Sequence, residues 1–144
     1  MKTYNKRINI SDIRIGATLY PVFSVTGSHA EIEKPIKVLT EANCQNNIRE
    51  YAFKYECQGR FGNLLYDKFL EDNNVKPHKR FLNYRPKKQY NFHALFRTQE
   101  DANDFANEIN NGFLTDEKKE LRSRFISNQQ GIREFEDRVY NPDM

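Results

Sequence analysis

The sequence predicts an α+β fold: a small, strongly curved antiparallel β-barrel, covered by one capped helix and followed by a charged helical C-terminus. Three observations predict it. Apolar and polar residues alternate with a period near two from residue 13 to about residue 55. A strand, a capping residue and a helix then follow in order across residues 90–112. Residues 113–144 are highly charged, so we divide the chain into residues 1–112, the barrel with its covering helix, and residues 113–144, a charged helical extension.

The first half of the chain contains the strand signals. Residues 18–25 are β-branched and aromatic, and Pro21 predicts an edge or a bulge. A second strand over residues 30–38 is interrupted by Lys34 and Pro35, and a third runs through residues 51–57. The glycines of the segment 59–63 predict a turn. Residues 64–70 are apolar and fit a short helix as well as a strand, and residues 72–85 predict a long loop.

The second half opens with a strand and a helix. Residues 90–97 predict the last strand, with four side chains on one face: Tyr90, Phe92, Ala94 and Phe96. Thr98 then caps a helix, because its hydroxyl can accept from a free backbone N–H of the first turn. The apolar stripe at helical spacing consists of Ala102, Phe105, Ala106 and Ile109. Gly112 ends this helix, and Thr115 caps a further charged helix over residues 116–127.

Composition limits the function classes. The 144 residues include 11 Phe and 8 Tyr, enough aromatic area for a core without disulfides or metals. The two cysteines and the polar N-terminus predict a reduced, cytoplasmic protein. The apolar runs are too short to cross a membrane, so we expect no membrane partner. The abundance of Asn, Lys, Ile, Tyr and Phe is typical of AT-rich coding DNA, as in many large bacteriophages.

Catalytic and metal-binding patterns are weak. A zinc site can be drawn from Cys44, Cys57, His78 and His93, but neither of the usual ligand spacings is present. Asp101, Asp104 and Glu108 share one helical face, for which a solvated surface is the simpler interpretation. No nucleophile elbow, phosphate-binding loop or dinucleotide fingerprint appears. We therefore expect no enzyme, no cofactor and no metal.

The strand pattern resembles a known family. Residues 15–20 (IGATLY), 32–39 (IEKPIKVL) and 51–55 are similar to the first three strands of small SH3-like barrels of the KOW type. Pro35 departs from that family, which has a glycine there. Small barrels of this type occur in early proteins of T-even-like bacteriophages, including DNA-binding transcription modifiers of the MotB type. The resemblance implies a DNA-binding protein that modulates host transcription or the nucleoid during host takeover.

The charge distribution also predicts DNA as the ligand. Residues 73–99 carry seven positive side chains and no acidic one, whereas residues 100–144 have a net charge of −5. Clustered cations bind phosphates, and aromatic rings among them can stack on bases. The predicted nucleic-acid contacts are Lys76, Lys79, Arg80, Phe81, Tyr84, Arg85, Lys87 and Lys88. No recognition motif accompanies them, so we expect sequence-independent binding of duplex DNA, weakening steeply with salt.

Two alternatives stay open. The cationic loop can instead neutralise the acidic helices of the same chain. The acidic face within residues 116–137 can also mimic DNA and inhibit a basic surface of a host protein, which makes the chain a protein-interaction module.

Overall fold

A computed structural model describes residues 3–45 and 50–112, which form one sheet with a helix against it. The strands are β1 (Thr18–Phe23), β2 (Glu31–Ile32), β3 (Ile36–Val38), β4 (Asn43–Gln45), β5 (Glu50–Gly59), β6 (Gly62–Phe69) and β7 (Ala94–Phe96). One α-helix, α1 (Gln99–Asn110), follows β7. Short 3-10 helices occupy Thr3–Lys6, Ile10–Asp12 and Glu71–Asn73. The predicted extension, residues 113–144, lies outside the described residues.

All seven strands pair antiparallel in one sheet. β3 lies between β1 and β5, β6 pairs with β5, and β7 pairs with β1. Within residues 3–45 and 50–112 no pairing joins β6 to β7, so the sheet is open. The structure therefore fits the α+β class, whereas the predicted SH3-like barrel is not confirmed by this open sheet.

Of the two places that the sequence predicts for Pro21, an edge or a bulge, the structure confirms the bulge. β1 is flanked on both sides, since Val22 pairs with Ile32 of β2 and with Ala94 of β7. Between the pairs Val22–Ile32 and Leu19–Ile36, β1 has two residues and its partner has three, which is the extra residue of a bulge. The Pro21 carbonyl accepts from Glu33 N–H at 3.0 Å, on the side of the three residues that separate β2 from β3. The missing N–H of proline faces the same side as its carbonyl, because both groups of an extended residue point the same way. The interrupted partner strand, rather than an edge position, accommodates this proline.

The sheet separates two cores. The first core contains the buried residues Ile8, Ile10, Ile13, Leu19, Ile36, Val38, Phe53, Leu70, Val75, Tyr84 and Leu95. The second core contains Tyr4, Val22, Ala30, Phe92, Ala94, Phe96, Ala102, Phe105, Ala106 and Ile109. Consecutive residues of β7 alternate between them, with Leu95 in the first core and its two neighbours in the second. Both faces of this part of the sheet are therefore covered.

The helix agrees with the sequence prediction. The Thr98 hydroxyl accepts from Asp101 N–H at 3.1 Å, and all four residues of the predicted stripe are buried. Phe105 packs on Phe96 with ring centroids 5.2 Å apart. After the helix, Gly112 has a φ of +76°, a left-handed conformation suited to glycine.

The remaining strand predictions differ mainly in length. Residues 64–70, left open between helix and strand, belong mostly to β6, which pairs with β5 along its whole length. The predicted turn joins β5 to β6, with Arg60 and Phe61 between the paired Gly59 and Gly62. The last strand is shorter than predicted, but Phe92, Ala94 and Phe96 do share the second core.

Candidate nucleic-acid interface

The cationic loop, residues 76–88, is fixed to the first core by Tyr84. Only 4% of Tyr84 is exposed, and its hydroxyl donates to the Val75 carbonyl at 2.6 Å. Its ring meets Tyr51 edge to face, with centroids 5.4 Å apart. Burial raises the pKa of Tyr84 far above its ordinary value, so the phenol stays protonated and remains a donor. The predicted exposure of this ring is therefore wrong: Tyr84 supports the loop from below.

The start of the loop is joined to the N-terminal segment. Ile10 N–H donates to the Lys76 carbonyl at 2.9 Å, and Lys76 N–H donates to the Ile8 carbonyl at 3.0 Å. The Lys76 ammonium donates to the Asn5 carbonyl at 2.7 Å. Burial lowers the pKa of Lys76, and the nearby cations Arg7 and Arg97 lower it further. Lys76 is thus tied to the N-terminal segment through both its backbone and its ammonium group.

Four later cations face solvent. Lys79, Arg80, Arg85 and Lys87 are exposed. None of these four takes part in an ion pair within residues 3–45 and 50–112. Lys88 is also exposed and has contacts of its own. By contrast, the guanidinium of Arg97 pairs with Asp12.

One carboxylate, that of Glu71, holds the backbone at the end of the loop. Glu71 Oε1 accepts from the backbone N–H of Lys87 at 2.6 Å. This contact fixes the loop backbone and leaves the Lys87 ammonium exposed. The loop backbone is therefore held by Val75, Tyr84 and Glu71, with most of its charge directed outward.

A cleft of about 160 Å³ lies beside the loop. Arg80 and Phe81 of the loop line it together with Arg14 of the N-terminal segment and Glu41 of the connection between β3 and β4. Its other lining residues are Ile10, Ser11, Ile13 and Ala42. Two guanidinium groups, one aromatic ring and one carboxylate are thereby brought to one place.

The structure thus sorts the predicted contacts. Lys79, Arg80, Phe81, Arg85, Lys87 and Lys88 lie at the surface, with Phe81 36% exposed, while Lys76 is partly buried and Tyr84 belongs to the core. Sequence reasoning missed Arg14 and Glu41, which join Arg80 and Phe81 only through the fold. Nothing in their local sequence indicates this position, because it depends on the long-range pairing of the N-terminal segment with Lys76.

The other candidate sites are not assembled. Among residues 3–45 and 50–112, no group of three His, Cys, Asp or Glu side chains could hold a metal ion. His93 instead accepts from Ser24 N–H through Nδ1 at 2.9 Å and stacks on Phe23 at 4.4 Å. In the same part of the chain, no helix has the length and apolar character needed to span a bilayer.

The fold and the site define an α+β protein that presents an anchored cationic loop next to a mixed apolar and charged cleft. The chain belongs to the phage g100-like protein family, whose family model matches residues 7–109. The matched range includes all seven strands, the loop and nearly all of α1. This membership supports the bacteriophage origin predicted from composition, and the KOW-type and MotB-type resemblance stays a prediction. No curated protein and no solved structure matches the chain.

Proposed function

We propose that this phage protein is a non-catalytic, largely sequence-independent DNA-binding protein that uses the cationic loop as its contact surface. The observation that supports this proposal most strongly is the combination of a fixed loop backbone with outward cations. A contact surface that is ordered before binding loses less conformational entropy when it meets its ligand. In an infected cell, such binding would modulate host transcription or nucleoid organisation.

Four exposed cations of the loop are not neutralised by acidic side chains of residues 3–45 and 50–112, whereas the acidic helices of the neutralisation alternative lie outside the described residues. If the loop served only to balance the acidic groups of residues 3–45 and 50–112, its cations would be expected in ion pairs with them. Within the described part of the chain, Lys79, Arg80, Arg85 and Lys87 make none, although Lys6 and Arg97 do. The acidic surface needed for the alternative, a DNA-mimicking inhibitor, falls within residues 113–144, outside the described residues.

The proposal is tested by measuring duplex DNA affinity against salt concentration. The loop variant carries Lys79→Ala, Arg80→Ala, Arg85→Ala and Lys87→Ala. We expect its slope of log affinity against log salt to be shallower by about 3 to 4, since each phosphate contact contributes roughly 0.9. Affinity at low salt falls by at least about 100-fold, because four charge contacts are lost together.

A matched control removes four exposed cations from elsewhere on the sheet: Lys34→Ala, Lys37→Ala, Lys54→Ala and Arg60→Ala. It changes the net charge by the same amount, so a general charge effect would weaken both variants equally. An unchanged slope in the loop variant, or equal losses in the two variants, would place the contact elsewhere. Absence of wild-type binding at low salt would end the proposal.

A further inference from the structure

We infer that the cleft beside the cationic loop receives one unstacked base of a single-stranded nucleic acid, while Arg14 and Arg80 bind the phosphates next to it. This inference deepens the proposed function and rests on it. It names the form of nucleic acid that the site prefers, and it brings in a residue that is distant in sequence from the loop.

The floor of the cleft suits a base. Ile10, Ile13 and Ala42 supply apolar atoms, and the first two belong to the first core. Binding sites for drug-sized ligands measure roughly 300–1,000 Å³. At about 160 Å³ the cleft is smaller than these sites, so it fits a single planar ring better than a whole nucleotide.

Phe81 provides the stacking surface. It lines the cleft with its ring partly exposed, and no aromatic partner within the described residues covers it. Stacking of a base on an exposed aromatic ring tolerates any sequence, because every base presents a π face. A base held in an intact duplex is already stacked and cannot enter, so the cleft selects single strands.

Glu41 distinguishes a base from a phosphate. A carboxylate in the lining repels an anion placed beside it, which argues against a phosphate inside the cleft. The same carboxylate can accept from the N–H groups on the Watson–Crick edge of a base. The two guanidinium groups of Arg14 and Arg80 supply donors that match phosphate oxygens.

The wall of the cleft is ordered by the capping interactions of the Ile10–Asp12 helix. Asn9 Oδ1 accepts from Ser11 N–H at 2.8 Å and from the Ser11 hydroxyl. Asp12 accepts in return from Asn9 N–H at 2.9 Å. Arg14 Nε donates to the Ser11 carbonyl at 3.3 Å, so the Arg14 side chain is held by a residue of this helix. The cleft is therefore formed before any ligand arrives.

The test compares three probes of equal phosphate number by fluorescence anisotropy at one low salt concentration: an oligodeoxycytidine strand, an abasic strand and a duplex. Wild type is expected to bind the oligodeoxycytidine strand about 10-fold tighter than the abasic strand. Phe81→Ala brings this ratio close to one and lowers the affinity for the oligodeoxycytidine strand more than the affinity for the duplex, since stacking and charge contribute separately. Arg14→Ala weakens binding of both single strands and leaves their ratio unchanged.

Leu82→Ala is the matched control, because Leu82 is the next residue, is 75% exposed and does not line the cleft. It should keep the wild-type ratio, as should Phe81→Tyr, which retains a stacking ring. Thermal unfolding of each variant verifies that it folds.

The inference is overturned if wild type does not discriminate the abasic strand, or if Phe81→Ala behaves as Leu82→Ala does. Either result leaves the proposed function intact as long as the loop cations still govern duplex binding. If wild type binds none of the three probes, both this inference and the proposed function are overturned.

Discussion

The two sides of the sheet are closed by different kinds of structure. The second core is closed mainly by α1, whose regular apolar stripe packs on β1 and β7. The first core is closed by irregular segments, residues 8–13 and 70–84, held by backbone hydrogen bonds and by Tyr84. The candidate interface lies on the irregular side. The comparison indicates that on the irregular side a core residue, Tyr84, also sets the shape of the candidate interface.

The largest expected effect separates these two roles. Tyr84→Ala and Phe105→Ala each remove a buried ring, from the first and the second core respectively. Each should lower the free energy of unfolding by about 3–5 kcal/mol. Only Tyr84→Ala should also weaken DNA binding, because it releases the cationic loop. Chemical denaturation and anisotropy at a temperature where both variants are folded provide the measurements.

Equal DNA affinity in these two variants would contradict a supporting role for Tyr84. Tyr84→Phe refines the comparison, since it keeps the ring and removes only the hydrogen bond to the Val75 carbonyl. Its expected cost is about 1–2 kcal/mol, in the range of a lost hydrogen bond with a buried partner.

A smaller effect is expected from replacing two glycines, Gly27 and Gly16, that differ in how closely other atoms surround them. Gly27 has a φ of +73°, and an added Cβ would lie 2.7 Å from the Phe92 ring of the second core. Gly16 has a φ of +87° with no atom within 4 Å of an added Cβ. Both alanine variants incur about 1 kcal/mol for the left-handed backbone. Gly27→Ala should lose about 1–3 kcal/mol more from overpacking. Equal decreases in the unfolding midpoints of the two variants would show that the Phe92 ring moves aside for the added methyl group.

The smallest expected effect is the pH response of His93, which immediately precedes β7 and accepts from Ser24 N–H. Burial lowers the pKa of His93 below 6.5, although Asp72 and Glu33 oppose the shift and Lys68 adds to it. The unfolded chain therefore binds the proton more readily. The contribution of His93 to stability is complete above pH 6.5 and declines as the pH falls through the folded pKa. Each unit of pKa difference corresponds to about 1.4 kcal/mol, reduced here by contact with solvent.

His93→Asn provides the control for this response. Its amide oxygen can accept from Ser24 N–H as Nδ1 does, and it does not titrate. Urea denaturation of both proteins between pH 7.5 and 5 should show a steeper loss in the wild type. An equal loss of stability in the wild type and in His93→Asn would assign the pH response to other titratable groups.

The contrast between the sides also explains what could be predicted from sequence. Helix α1 was predictable because Thr98 and the stripe from Ala102 to Ile109 are local signals. The β5–β6 hairpin was marked by its glycines. The position of Tyr84 was not predictable, because a tyrosine among cations has the same local pattern whether its ring stacks on a ligand or enters a core.

The cleft was equally hidden, and for a related reason. Arg80 and Phe81 stood out in the acid-free segment, but Arg14 has an ordinary sequence context. The cleft forms because residues 8–10 pair with Lys76, a contact that no periodicity encodes. Local patterns therefore predicted the cationic side chains and missed the surface that they share with the N-terminal segment.

The pairing of the N-terminal segment has a consequence for biosynthesis. Ile8 N–H donates to the Leu95 carbonyl at 2.9 Å, so the N-terminal segment needs β7, which follows it by more than eighty residues, to be present. Such contacts between distant residues slow folding, since a long loop must close before they form. While the ribosome is still adding residues before β7, the first core lacks Leu95 and the segment that covers it has no partner strand. We therefore expect the candidate interface to acquire its final form only after β7 has been made, because the N-terminal segment beneath it needs Leu95 as a partner.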